Sequence, residues 1–258
     1  MTPPPYPTAR GLLTGKTVLV TAAAGTGIGY AVARRAAEEG ARLLISDIHE
    51  RRLTDAAERL TAETGTRPAT QLCNVTDEAQ IQALLAAAHT ALGHVDVLIN
   101  NAGLGGESPV TEMTDDQWSR VLDVTLTSVF RMTRAFLPGM YARRAGCIVN
   151  NASVLGWRAQ KGQAHYAAAK AGVMAFTRCS ALEAAEHGVR INAVAPSIAM
   201  HAFLAKVTSE DTLARLAAQE AFGRPAEVWE VANVMIFLAS ELSSYMTGEI
   251  VSVSSQRA

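Results

Sequence analysis

The run Lys16-Thr-Val-Leu-Val-Thr21 is short and β-branched. It opens directly into Ala22-Ala-Ala-Gly25-Thr-Gly27-Ile-Gly29 and then into a helical stretch, Tyr30 to Glu39, that stops at Gly40. Strand, glycine-rich turn and helix in succession form the context that lifts a glycine pattern above chance. Gly25, Gly27 and Gly29, framed by Thr21 and Ile28, let the backbone approach a pyrophosphate held at the helix N-terminus. The second strand, Ala41 to Ser46, is followed at once by Asp47. An acidic residue about 20 positions beyond the glycines is placed to accept hydrogen bonds from a ribose 2′-OH and to repel a 2′-phosphate. The pattern therefore favours NAD over NADP. Arg51 and Arg52 lie close behind and weigh the other way, unless they belong to the solvated face of the second helix.

The alternation continues along the chain. Ala69 to Cys73 is a third strand, ending in Asn74-Val75, where adenine would lie. Asp77 to Leu92 is an amphipathic helix, and Asp96 to Ile99 is a fourth strand ending in Asn100-Asn101-Ala102-Gly103, a turn with little bulk that would lie along the cofactor. Thr114 to Arg144 is mostly helical, with Thr114 as N-cap and an interruption expected near Pro138-Gly139. After the strand Cys147 to Asn150 comes a long helix, Ala164 to Glu186, and then the strand Val189 to Val194, ending at Pro196. Ser197 to Phe222 is helical but mixed, as a substrate flap or an ordinary surface helix pair would be. A last helix, Pro225 to Ala239, and a last strand, Glu249 to Val253, follow. This pattern predicts an α/β chain: one doubly wound parallel sheet of about seven strands with helices on both faces. The domain spans residues 13–258, behind a flexible proline-rich leader over 1–12.

Chemistry concentrates between Ser153 and Lys170. Ser153 precedes Tyr166 by 13 residues, at the end of an apolar strand, and Lys170 lies four residues beyond Tyr166 on a helix. Residues four apart share a helix face, so the phenol and the ammonium point into the same space. A nearby cation favours phenolate and lowers a tyrosine pKa from about 10. Such a tyrosine exchanges a proton with an alcohol, and Ser153 hydrogen-bonds the same oxygen. Trp157, Arg158 and His165 are placed to line a substrate pocket, Trp157 with an apolar ring face and Arg158 with Lys161 against an anionic group, although ordinary packing or solvated charge would account for each equally well. His165 adjoins Tyr166 but points about 100° away, as a substrate-side or surface residue. Trp118 and Trp229 are expected to pack helices, and His89 and His187 to face solvent.

Composition narrows the function classes. With 49% hydrophobic and 18% charged residues there is ample apolar surface for a core, and a net charge of −1 draws neither nucleic acid nor an anionic membrane. No segment approaches about 18 uninterrupted apolar residues. The N-terminus has neither the basic start nor the apolar run of a signal peptide. Cys73, Cys147 and Cys179 have no CxxC spacing and suit free thiols in a reducing cytoplasm, and no cluster has metal spacing.

The glycine-rich turn, Asn100-Asn-Ala-Gly103, Ser153, Tyr166-xxx-Lys170 and Asn192-Ala-Val-Ala-Pro196 resemble, in order and spacing, the short-chain dehydrogenase/reductases from Leu13 onwards. That resemblance implies a Rossmann-type fold, a nicotinamide cofactor, hydride transfer at an alcohol/ketone carbon and a homotetramer. It also implies Tyr166 as general acid/base, Lys170 as the residue that lowers its pKa and binds the nicotinamide ribose, and Ser153 as the group that orients the carbonyl. Pro196 and Ser197 fall at the nicotinamide end. The segments VTAAAGTGIG, NNAGLGG, NNASVLGWRAQ, AHYAAAKAGVMA and INAVAPSIA look like an actinobacterial branch. That branch serves late steroid-ring (cholesterol) degradation and acts on a hydroxylated hydrindane carboxyl-CoA thioester, which would make ring-hydroxyl oxidation the expected direction.

Several positions depart from the family pattern. Ala22 stands where a glycine is usual, and the turn is one residue longer. Asn74 replaces an Asp. Thr125 replaces the Asn that holds a relay water through its backbone carbonyl; a Thr hydroxyl bonding its i−4 carbonyl would bend the helix there. Met200 and His201 fall where a Thr usually holds the carboxamide. Two other readings fit the same residues: a 3-oxoacyl-thioester reductase using NADPH, and a non-catalytic NAD-binding regulator.

Overall fold

The computed structural model describes residues 1–201, 204 and 210–255. The strands are β1 Thr17–Thr21, β2 Arg42–Asp47, β3 Ala69–Leu72, β4 Val97–Asn100, β5 Gly146–Asn151, β6 Val189–Pro196, β7 Ala199–Met200, β8 Ala226–Glu227 and β9 Ile250–Val253. Seven of them form one parallel sheet in the order β3-β2-β1-β4-β5-β6-β9, and β7 pairs with β8 in a separate small ladder. The central strands are buried on both sides, which is why they are continuous apolar runs rather than alternating ones. Val18 and Val20 of β1 point to one core and Leu19 to the other.

On the first face lie α1 Ile28–Glu38, α2 Glu50–Thr64 and α8 Val228–Ala239, packed through Val32, Leu53, Leu60 and Ile236. On the second lie α3 Glu78–Leu92, α5 Ser128–Arg143 and α6 Ala164–Ala185, packed through Ile81, Leu84, Phe136 and Ala181. Each fully buried Leu or Ile of this kind contributes about 1.5–3 kcal/mol. Thr114 and Gln117 form a capping box at the start of α4 Asp115–Leu122, and Asp77 caps α3 by accepting from the Gln80 N–H. Strand order reverses between β1 and β4, so the crevice outside their carboxyl ends is where a ligand belongs in such a sheet.

The long helix expected over 114–144 is interrupted earlier than at Pro138. α4 passes through a π-turn, Asp123–Thr127, into α5, which runs through Pro138. Pro138 and Arg134 both lie on the exposed face, where solvent serves the carbonyl that loses its N–H partner. The leader carries no regular structure but is fastened to α1. Tyr6 donates to Glu38, Arg35 donates to the carbonyls of Pro7 and Thr8, and the Arg10 and Leu12 amides both donate to the buried Glu39 carboxylate. The flap expected over 197–222 lies partly outside the described residues, within which α7 spans Glu210–Gln219.

Candidate active site

β5 delivers Ser153 just beyond its end, and α6 delivers Tyr166 and Lys170 from its first two turns. The Ser153 hydroxyl accepts from the Leu155 N–H at 3.2 Å, capping the turn Val154–Gly156, and also hydrogen-bonds the Tyr166 phenol. Gly156 lets that turn press onto α6: a Cβ there would come within 2.6 Å of the Met174 methyl. Lys170 is 2% exposed; its ammonium lies 5.5 Å from the Tyr166 ring centroid and donates to the Asn151 carbonyl. Gly103 faces both Lys170 and Thr125, and Gly105 faces the Tyr166 ring. The turn after β4 therefore closes the site from above.

The electrostatics correct one expectation. Burial pushes the Tyr166 phenol up to about 12, with the Ser153 hydrogen bond pulling the other way, and burial pulls Lys170 down to about 7. In this arrangement the Ser153 hydrogen bond, rather than Lys170, is what pulls the phenol down. An ammonium whose charge burial disfavours, and which is turned onto a carbonyl, supplies little field for a phenolate.

Thr125 differs from expectation as well. It sits fully buried in the π-turn, a form of helix that often marks functional positions. Its hydroxyl does not bond its own i−4 carbonyl; Ser128 makes that bond, to Val124, at 2.7 Å. Thr125 instead donates to the Leu104 carbonyl at 3.0 Å and accepts from the Leu104 N–H at 2.9 Å.

At the glycine-rich turn, Ala22 adopts φ +51°, the left-handed region that glycine takes at no steric cost. Gly29 is required by close approach, because a Cβ there would come within 2.4 Å of the Ala22 carbonyl oxygen and the Asn101 amide nitrogen. The Thr21 hydroxyl accepts from the Asn101 and Ala102 N–H groups at 2.9 and 3.2 Å, fixing the turn after β4 to the end of β1. The N-cap of α1 is Gly27, which has no side chain to bond the first-turn N–H groups. The His201 ring lies against Gly27, 3.7 Å from where a Cβ would stand, and burial lowers its pKa. Arg59 stacks 3.7 Å over the Tyr30 ring and donates to the Gly25 carbonyl at 2.6 Å.

Asp47 accepts from the Ala24 N–H at 3.1 Å and the His49 N–H at 3.0 Å, and burial raises its pKa. Asn74 Oδ1 accepts from the N–H and hydroxyl of Thr76, while Val75 is buried beside it. Ser197 donates its N–H to Val253, and its buried hydroxyl has no hydrogen-bond partner among the described residues. A glycine cradle at an uncapped helix N-terminus, a carboxylate after β2 and a buried ammonium beyond Gly103 fit a dinucleotide.

The remaining candidates separate. His165 is 2% exposed, packed against Gly106 with no partner for its Nδ1 among the described residues, so the surface alternative for it does not hold. Trp157 is half-exposed beside a partly buried Arg158. Trp118 is 41% exposed rather than packed between helices, Trp229 meets the Tyr6 ring edge-on, and His187 stacks on Tyr141. Asn151 and Arg59 escaped the sequence reading. The signal for Asn151 was the repeated Asn-Asn-Ala after β4 and β5; Arg59 had none, because only the fold brings α2 to the glycine-rich turn.

The chain matches the family model described as Enoyl-(Acyl carrier protein) reductase over residues 22–255. It is 64% identical, over 96% of its length and 95% of the relative's, to the Mycobacterium tuberculosis protein (5R,7aS)-5-hydroxy-7a-methyl-1-oxo-2,3,5,6,7,7a-hexahydro-1H-indene-carboxyl-CoA reductase. It is 38% identical to the Vibrio cholerae 3-oxoacyl-(acyl-carrier-protein) reductase FabG, covering 93% of this chain and 96% of that one. Among solved structures, a short chain dehydrogenase from Mycobacterium smegmatis superposes with TM-score 0.88 at 57% identity, covering 99% and 98% of the two chains. An actinorhodin polyketide ketoreductase with NADPH superposes with TM-score 0.87 at 33% identity, covering 93% and 96%. With its fold, its nucleotide cradle and these relatives in agreement, the chain belongs to the short-chain dehydrogenase/reductase family, oxidoreductases that use a nicotinamide cofactor at an alcohol or keto carbon.

Proposed function

We propose that this enzyme interconverts a ring ketone and secondary alcohol on a CoA-linked bicyclic intermediate of steroid degradation. The observation that carries the reading is the meeting of Ser153, Tyr166 and Lys170 beside Gly103, supported by 64% identity to a hexahydroindene-carboxyl-CoA reductase.

Ser153 and Tyr166 both present hydroxyls to the substrate oxygen. Tyr166, kept a phenol by burial at neutral pH, donates its proton to the developing alkoxide. That protonation state suits ketone reduction, the direction in the relative's name and the opposite of the oxidation expected from the resemblance. The nicotinamide cofactor supplies the hydride. Gly27 and the first N–H groups of α1 would hold its pyrophosphate. Asp47 would take the adenosine ribose, Val75 the adenine, and Asn101, Ala102 and Gly103 the flank. Lys170 would take the nicotinamide ribose, and Pro196 and Ser197 the carboxamide. Asp47, closing β2 beside the turn, supports NAD(H) over NADP(H). Trp157, Arg158 and His165 belong to the substrate side of this reading, with the CoA moiety meeting Arg158 and Lys161. Phe130, Leu182 and Trp118, exposed on α4, α5 and α6, support a homotetramer of a cytoplasmic enzyme, which light scattering would test.

The relatives of the FabG type and the NADPH-bound ketoreductase favour a second reading, a 3-oxoacyl-thioester reductase using NADPH. The test is nicotinamide absorbance with both cofactors, in both directions, offering the hydrindane carboxyl-CoA couple beside linear 3-oxoacyl-CoA. Turnover of the ring thioester with NAD(H) is the expected result. Preference for the linear thioester with NADPH would replace it with the second reading. Tight cofactor binding without turnover on any substrate would point to a non-catalytic regulator.

A further inference from the structure

Two Asn-Asn-Ala runs end adjacent strands, Asn100-Asn101-Ala102 after β4 and Asn150-Asn151-Ala152 after β5, and the register sets Asn100 beside Asn150. Strand alternation sends the members of each run to opposite faces. The lower pair is tied into the core: Asn100 donates to Asn150 at 2.9 Å, and Asn150 donates to the Thr177 hydroxyl at 2.9 Å. The upper pair is tied into the site. Asn151 Nδ2 donates to Asn101 Oδ1 at 3.0 Å, and Asn101 Nδ2 donates to the carbonyls of Thr21 and Ala22 at 3.1 and 3.2 Å. Lys170 donates to the Asn151 backbone carbonyl.

We infer that Asn151 is a positioning residue that couples Lys170 to the glycine-rich turn through Asn101. Asn101 can hold the two carbonyls only while its amide nitrogen faces them, which leaves its oxygen facing β5 and in need of a donor. Asn151 is that donor. The turn needs the hold more than a glycine-led turn would, because Ala22 sits at φ +51° with a Cβ that disfavours it. Without the Asn151 amide, Asn101 is free to rotate, Ala22 relaxes out of the left-handed region, and the cradle at Gly27 and Gly29 loses its shape. The backbone bond to Lys170 remains, so cofactor affinity suffers before substrate recognition does.

This inference rests on the proposed cofactor use, and its test does not depend on turnover. Dissociation constants are measured by fluorescence titration with NADH and NADPH for the parent, Asn151→Ala, Asn101→Ala, the double variant and Asn150→Ala, each with its melting temperature. For the cofactor the parent binds, Asn151→Ala is expected to weaken binding about tenfold, the worth of one well-placed hydrogen bond. The double variant should bind no worse than Asn101→Ala alone, and the substrate KM of Asn151→Ala should stay within about twofold. Asn150→Ala should lower the melting temperature yet leave the dissociation constant within about twofold, since its bonds end in the core. Asn151→Asp keeps the shape without the donor and is read the same way if Asn151→Ala does not fold. Parent-like binding in both Asn151 variants, or additive losses in the double variant, would overturn the coupling while leaving the enzyme class intact. A parent that binds neither cofactor would overturn the function and this inference together.

Discussion

The Thr125 hydroxyl closes a two-way hydrogen bond with the Leu104 backbone, donating to its carbonyl at 3.0 Å and accepting from its N–H at 2.9 Å. A hydroxyl can do both, as can a carboxamide, whereas an aliphatic side chain can do neither. Thr125→Val, nearly isosteric, leaves two backbone groups unpaired and is expected to cost about 1–3 kcal/mol in denaturant unfolding. It should also lower kcat by more than about tenfold, because the turn over Lys170 loses its anchor. Thr125→Asn, whose amide carries both functions, should keep the rate within a few-fold; a large gain would mean that the native residue impairs the proton relay.

Tyr166→Phe should abolish turnover while leaving cofactor affinity close to that of the parent, since the phenol hydroxyl faces Ser153 and the substrate side. Single-turnover absorbance and fluorescence titration separate the two. Residual activity above about a thousandth of the parent would place the proton donor elsewhere.

At position 22 the chain keeps an L-residue at φ +51°. Ala22→Gly removes a steric penalty of about 1–2 kcal/mol and adds back part of it as unfolded-chain entropy. A net gain of about 0.5–1 kcal/mol, or roughly 2 °C in the melting temperature, is expected. A loss would show that the Ala22 Cβ makes a contact worth more than its strain.

Lys170 imposes a pH dependence on stability. Its pKa falls from 10.5 to about 7 on folding because the ammonium is buried. Above about pH 7 the folded chain sheds this proton while the unfolded chain keeps it, so stability rises with pH, by at most about 1.4 kcal/mol per pH unit. The window closes near pH 9, where Cys73 and Cys147, raised by burial from 9.0 to about 11, begin to act in the opposite sense. Melting temperatures measured from about pH 7 to 9 should climb more steeply for the parent than for Lys170→Met. Parallel curves would show that Lys170 keeps its charge when buried.

What the sequence made legible was whatever local rules enforce. β-branched runs, the helix stop at Gly40 and the Thr114 cap each act within a few residues, and the sheet followed from their alternation. The nearness of Ser153, Tyr166 and Lys170 was equally readable, because a helix fixes i to i+4 and β5 leads into Ser153. Other features depended on long-range partners. Pro138 breaks nothing because its face is exposed, whereas the real break at 123–127 answers to Leu104. The Tyr166 shift has the sign opposite to that expected because burial, invisible to spacing, outweighs the Ser153 hydrogen bond, while the Lys170 ammonium is turned onto Asn151. The leader, mobile by composition, finds an aromatic and ionic seat on Trp229, Arg35 and Glu39 that its own residues do not announce.

The π-turn has a bearing on how chain length can vary. It holds one residue more than an α-helix needs over the same rise, and Gly172 of α6 leaves room for Leu126 from it. Excising a single residue between Asp123 and Thr127 would restore ordinary hydrogen bonding along the whole of 115–143 and yield the more regular helix. It would also turn the hydroxyl of Thr125 away from Leu104. A length change that improves the secondary structure would thus dismantle the chemistry, so this helix has to be compared between relatives by its surplus residue as much as by its side chains.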